Sequence, residues 1–146
     1  MKRSIRILAA FSLASASFGA FAASATVSDC WVRLLPGDLP SGAYFTVANS
    51  TGSPIELTGV SSDAFGMAML HRTQDNGSTS TMEMVHSATV PANGTLKFAP
   101  GGYHVMLEKP KHALKVGSTI DLGFTFGNGE KTTVQCAVKS PATMGQ

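Results

Sequence analysis

Thr119-Ile120-Asp121-Leu122-Gly123-Phe124-Thr125-Phe126 sets Ile120, Leu122 and Phe124 against polar and small residues. Gly127-Asn128-Gly129 then turns the chain into residues 131–138. Successive side chains on a strand point to opposite faces, so this alternation describes a half-buried strand, and the glycine-rich turn makes the next segment its hairpin partner. The same pattern extends towards the N-terminus. Residues 26–34 carry Val27, Cys30, Trp31 and Val32 and break at Pro36-Gly37. Residues 42–48 alternate Ala43, Phe45 and Val47 against Tyr44 and Thr46. Further strands are expected over 55–60, 67–73, 82–90 as one run, 95–98 and 103–107, with a polar loop over 74–81. No segment holds a helical apolar period for more than a turn or two. The reading is a single all-β domain, a sandwich or Greek-key barrel.

The first 22 residues belong to export and not to this domain. Lys2, Arg3 and Arg6 form a basic start, residues 7–18 are apolar or small and uncharged, and Ala20-Phe21-Ala22 is a small-residue cleavage pattern. This reads as a secretory signal peptide, too short in its apolar part to span a bilayer, and predicts a periplasmic protein with no integral membrane segment. The chain carries 11 Lys and Arg against 9 Asp and Glu, and three of the basic residues lie in the leader. The remainder is close to neutral and has no basic run, so nucleic acid is not expected as a partner. Residues 23–140 are read as the functional domain and 141–146 as a short flexible tail.

Export also bears on Cys30 and Cys136, which lie near the two ends of the domain. An oxidising compartment favours a disulfide between them. Two buried thiols or a redox pair remain open at this level, although the spacing is not C-x-x-C.

The chemistry is concentrated in four other residues. His71, Met82, His104 and Met106 supply two imidazoles and two thioethers, with no carboxylate among them. That set suits neither magnesium nor calcium. Polarisable thioethers suit copper, and Cu(I) in particular. Residues i and i+2 of a strand share a face, so His104 and Met106 lie together, opposite Tyr103, Val105 and Leu107. The same parity groups Met67, Met69 and His71, and likewise Met82, Met84 and His86. The bend at Pro100-Gly101-Gly102 helps to position His104. Taken singly, Met67 and Met69 read as packing residues, Trp31 as a core anchor, His112 as solvent-facing, and Met84 and His86 as neighbours of the site.

The spacing His71-x10-Met82-x21-His104-x-Met106 resembles the signature of the periplasmic copper chaperones called PCu(A)C, or DUF461. Asp29-Cys30-Trp31-Val32-Arg33, Gly42-Ala43-Tyr44-Phe45-Thr46-Val47-Ala48-Asn49, Met69-Leu70-His71 and Pro100-Gly101-Gly102-Tyr103-His104-Val105-Met106 also resemble that family. The resemblance runs from about residue 26 to 139. It implies a cupredoxin-like β-sandwich that holds one accessible Cu(I) through these two His and two Met. It also implies delivery to cytochrome oxidase subunit II or another copper-accepting protein. Some members also take Cu(II), often on a His- and Met-rich tail; the tail here has Met144 and no His. The cysteine pair is not part of the resemblance.

Rival readings are a copper storage or resistance protein without an oxidase partner, a blue-copper electron carrier, and a metal-free scaffold. No nucleophile elbow, zinc-protease helix motif or plausible carboxylate pair is present, so no enzyme activity is expected. The chain is expected to act as a monomer.

Overall fold

The computed structural model describes residues 22–144. The expected export signal, except for Ala22, lies outside the described residues, as do the last two residues of the tail. The described residues form ten strands: β1 (Ala25–Arg33), β2 (Ser41–Asn49), β3 (Ile55–Ser62), β4 (Phe65–Asp75), β5 (Ser80–Met84), β6 (Ala88–Val90), β7 (Thr95–Phe98), β8 (Tyr103–Pro110), β9 (Thr119–Phe126) and β10 (Lys131–Lys139). There is no helix among the described residues. The strands pair in the order β5-β4-β8-β2-β1-β10-β9-β3-β6, and β7 joins β2. β3 also packs against β4, although the two are far apart in that order. The sheet therefore folds over on itself, giving the all-β, cupredoxin-like architecture expected from the alternation and the resemblance.

β2 makes this closure possible. Ser41, Gly42 and Ala43 pair with β8, whereas residues 45–48 pair with β7. Its inward residues Ala43, Phe45 and Val47 meet Leu70, Val105, Leu107, Leu122 and Phe124 in one buried cluster. Phe45 stacks on Phe98 at 4.3 Å between centroids and meets the edge of Phe124 at 4.8 Å. Each such aromatic pair contributes about 0.5–1.5 kcal/mol beyond area burial. The alternation therefore specifies which face of each strand is buried.

The first and last strands, β1 and β10, pair in parallel, and Cys30 and Cys136 form a disulfide across that seam. The bridge joins residues 106 apart in sequence, and the two Cα atoms are 4.6 Å apart. It coincides with a bulge in β1, where the register against β2 shifts between Ser28 and Trp31 and Asp29 takes φ 53°. At the start of the two strands, the Glu130 carboxylate accepts hydrogen bonds from the Ser24 hydroxyl and the Ala25 N–H, tying the beginning of β1 to the turn before β10.

Several boundaries differ from expectation: β3 and β4 run longer than 55–60 and 67–73, and β4 and β5 pair into the expected loop over 74–81, leaving 76–79 as the turn. Residues 82–90 do not form one strand: β5 ends at Met84 and β6 begins at Ala88. β5 pairs with β4 while β6 pairs with β3, so these two short strands occupy opposite ends of the pairing order. All five β5 residues are exposed, whereas Ala88 and Val90 are buried. One straight strand could not serve both environments, and the chain breaks at 85–87. β8 also continues beyond residue 107 to Pro110, bringing Glu108 into the sheet opposite Met67.

The long loop closed by the bridge makes its removal costly. A Cys30→Ala/Cys136→Ala variant is expected to lose about 2–5 kcal/mol of unfolding free energy. A lowered urea midpoint with an unchanged far-UV spectrum checks this.

Candidate metal centre

The site is built on the outer face of the ribbon β5-β4-β8. The core requires Leu70, Val105 and Leu107 to point inward, and all three are buried. Their neighbours must therefore point outward. His71 of β4 pairs with His104 of β8, and Met69 pairs with Met106 one step along the same face. On the other side, Met84 of β5 pairs with His71 and Met82 pairs with Thr73. All four expected ligands thus share one face of adjoining strands. His71 and His104 are direct cross-strand neighbours, with ring centroids 5.6 Å apart and planes at 62°. Met106 is one step from His104 on β8, and Met82 is diagonal to His71.

The turn before β8 orients His104. Gly101 adopts φ 85°, a conformation that glycine enters without a steric penalty, and the Gly102 N–H donates to the Ala99 carbonyl at 3.0 Å. The Gly102 carbonyl then accepts twice. It takes the Thr73 N–H at 3.1 Å and His104 Nδ1 at 3.0 Å. A carbonyl cannot donate, so Nδ1 of His104 carries a proton, and in the neutral ring Nε2 is then the atom with the lone pair. This is the arrangement by which an outer hydrogen bond fixes a metal-binding tautomer.

His104 is only 4% exposed, and its Nε2 has no hydrogen-bond partner; Nδ1 of His71 is likewise buried and unpartnered. A buried acceptor without a partner costs about 1–3 kcal/mol. Two of them on neighbouring rings are a reason to look for an ion. Burial lowers the His71 pKa from its ordinary value; proximity to His104 lowers it further, and Glu108 opposes both. The imidazole is thus kept neutral, the form that binds metal.

Among the described residues, no group of three or more His, Cys, Asp and Glu could hold a metal ion. An ion bound between these histidines must therefore draw on the thioethers. Met82 and Met84 are 64% and 59% exposed, and Met69 and Met106 are half-buried. The donor set is two imidazoles and several thioethers, all uncharged, which fits a soft monovalent ion. Both cysteines are bridged, so neither supplies the thiolate of a blue-copper centre.

Other expectations need correction. Met67 and Met69 are not core packing residues; they lie on the outer face with His71, and Met67 is 36% exposed. His86 falls beyond the end of β5, so strand parity does not carry it to the site. Trp31 is buried, but on the side of the sheet away from the core. It stacks on Tyr44 at 4.5 Å, with the Lys139 ammonium 5.2 Å from its ring centroid. Tyr44 lies back over Gly42, the residue opposite Met106: a Cβ on Gly42 would stand 2.6 Å from the phenol oxygen. Arg33 donates to that oxygen at 2.9 Å, and burial raises the Tyr44 pKa against the pull of Arg33. This aromatic wall was not singled out from sequence; the glycine opposite Met106 was its one local signal. His112 is exposed, as expected, and lines a groove of about 560 Å³ with Leu39, Phe65 and Val116. Phe65 is six residues from His71 along β4, roughly 20 Å in an extended strand.

The family model described as "Putative lipoprotein LpqE-like" matches residues 25–138. A putative lipoprotein of Leifsonia xyli subsp. xyli, Lxx21020, is 32% identical over 114 residues, covering 77% of this chain and 68% of the relative. The uncharacterised protein RP573 of Rickettsia prowazekii is 29% identical over 99 residues, covering 67% of this chain and 55% of that protein. The copper-bound PCuAC domain from PmoF2 superposes with TM-score 0.69 at 25% identity, over 82% of this chain and 95% of the domain. DR1885 from Deinococcus radiodurans is 32% identical. Its apo solution structure gives TM-score 0.62 over 96% of this chain and 95% of its own, and its Cu(I) form 0.64 over 82% of each.

The lowered pKa has a sign that NMR can check. His71 of the metal-free protein is expected to titrate below the ordinary histidine range. Its fold-stabilising contribution is then fully present above the unfolded-state value near 6.5 and is lost as the pH falls from there through the lower folded-state value. Nitrogen shifts should also show His104 locked as the Nδ1–H tautomer; a mixed tautomer would contradict the Gly102 hydrogen bond.

Proposed function

The chain belongs to the LpqE-like family, and from that premise we propose that it is a periplasmic copper chaperone and not an enzyme. It carries Cu(I) on His71, Met82, His104 and Met106 and passes it to an acceptor, with cytochrome oxidase subunit II the acceptor favoured by the resemblance. The single observation that carries this reading is the pair of buried imidazole nitrogens without partners, set beside thioethers on one sheet face. The copper-bound domain of PmoF2 and the Cu(I) form of DR1885 support copper as the cargo.

Residues 1–22 act as the export signal, 23–140 as the carrier domain and 141–146 as a tail. The protein works as a monomer. Its relatives include a putative lipoprotein, whereas both cysteines of this sequence are engaged with each other, so neither thiol is available to carry a lipid.

The chemistry is ligand exchange. His71 and His104, held on paired strands, keep the ion while thioether bonds break and re-form. No proton moves when a thioether leaves, and no charge is uncovered on the donor side; an acceptor His enters as the neutral imidazole, whereas an acceptor Cys enters as the thiolate, its proton already lost to solvent. The buried His104 and half-buried His71 form the fixed side of the site and the exposed sulfur atoms the accessible side. An acceptor's Cys or His displaces a thioether on that open side. Cu(II) is a harder ion and gains less from sulfur, so Cu(I) is the favoured state.

Competition titration with a Cu(I) chelator tests this. The mature protein is expected to bind one Cu(I) tightly. His104→Ala and Met106→Leu should each weaken retention by at least about tenfold, the lower range seen when a metal site is perturbed. Unchanged affinity in both variants would overturn the assignment. Delivery is tested by oxidase activity in a deletion strain under copper limitation, with rescue by added copper expected.

A further inference from the structure

The geometry points to Met84 as an additional copper-ligating residue that exchanges with Met82 on the same ion. This inference rests on the copper-carrier reading and assigns the site one more donor than its spacing signature contains.

The argument comes from the hydrogen-bond pattern of the ribbon. Antiparallel strands alternate between pairs that exchange backbone hydrogen bonds and pairs that do not. The Thr73 N–H donates to the Gly102 carbonyl at 3.1 Å, which makes Thr73 and Gly102 a hydrogen-bonded pair. Two residues along, His71 and His104 are the next pair of that kind. The Val85 N–H donates to the Leu70 carbonyl at 2.9 Å, so the hydrogen-bonding groups that face β5 belong to Leu70 and not to His71. His71 and Met84 are therefore a non-hydrogen-bonded pair, the kind whose Cα atoms approach to about 4.5 Å and whose side chains lie closest. His71 and His104, as a hydrogen-bonded pair, stand about 5.5 Å apart at Cα.

Met84, His71 and His104 thus form one row across three strands, with Met84 in the closer of its two pairings. Met82 is opposite Thr73, on the diagonal from His71. A diagonal neighbour lies about 7–8 Å away, within reach of a long side chain but farther than the direct partner. Both methionines project from a strand whose every residue is exposed.

Five donors then surround the ion: two imidazoles and the thioethers of Met82, Met84 and Met106. A four-coordinate Cu(I) leaves one sulfur spare. As the bond to the Met84 sulfur forms, the bond to the Met82 sulfur breaks, and the reverse; no electron, proton or net charge is transferred. The spare thioether keeps copper bound while a partner's ligand displaces its neighbour.

The test is a double-mutant cycle on the mature protein with Cu(I) as the probe. Leucine preserves the volume of methionine at each position. Met82→Leu and Met84→Leu are each expected to weaken Cu(I) binding modestly, because the remaining sulfur takes over. The double variant should lose at least about tenfold more than the product of the single losses. X-ray absorption of Cu(I)-loaded Met82→Leu should retain two sulfur neighbours. If Met82→Leu alone matches the double variant, or if it loses one sulfur, Met84 is not a ligand and the proposal falls. Failure of the carrier reading looks different: wild-type protein would not hold Cu(I), or His104→Ala would bind as well as wild type.

Discussion

The antiparallel pairing of β4 with β8 is the constraint on which the site depends. Leu70, Val105 and Leu107 must enter the core, and this fixes both strands in one register. A slip of β4 by one residue against β8 would turn Leu70 outward and drive His71 and Met69 into the hydrocarbon core. The hydrophobic core therefore sets which imidazole and thioether side chains stand together on the outer face. The Gly102 carbonyl secures the arrangement a second time. It joins β4 to the turn before β8 through Thr73 and orients the imidazole of His104 through the same oxygen. Backbone pairing and tautomer choice thus share one acceptor.

The chemistry follows from what these strands do not present. Carboxylates are absent from the immediate pairing positions around His71 and His104; Glu108 is opposite Met67, beyond the Met69–Met106 pair. A site without anionic ligands neither attracts hard divalent ions strongly nor releases protons when it is filled. On the copper-carrier reading its selectivity would rest on sulfur polarisability, and its retention on two buried ring nitrogens that have no hydrogen bonds to give up. The Trp31–Tyr44 wall, seated over Gly42, continues the same outer surface beyond Met106.

Most of the architecture was legible because strand alternation is a short-range signal. Ala43, Phe45 and Val47 in β2, and Ile120, Leu122 and Phe124 in β9, mark their buried faces without reference to any partner. The grouping of His104 with Met106 was legible for the same reason. Strand adjacency was not, because pairing is a long-range property. Nothing local says that β5 lies beside β4, or that Met84 and not Met82 stands opposite His71. The break at residues 85–87 was hidden because Met82, Met84, Ala88 and Val90 continue an apolar alternation whose first half is exposed and second half buried. Met69 reads as filler because methionine ordinarily is; parity groups it with His71, and the pairing with Met106 shows that their shared face is the outer one. Trp31 was misread because burial of an aromatic residue does not reveal which side of the sheet buries it.

β5 has consequences of its own. It ends the pairing order, is held by β4 alone and buries none of its residues, whereas the seam between β1 and β10 is cross-linked. Opening free energies differ widely within one fold, and a strand with so little burial belongs at the low end of that range. Fraying of β5 can withdraw its sulfur atoms while the imidazoles stay anchored in the ribbon's interior. The molecule is thus divided into a stiff chassis and a loose latch, and unlatching leaves the chassis intact.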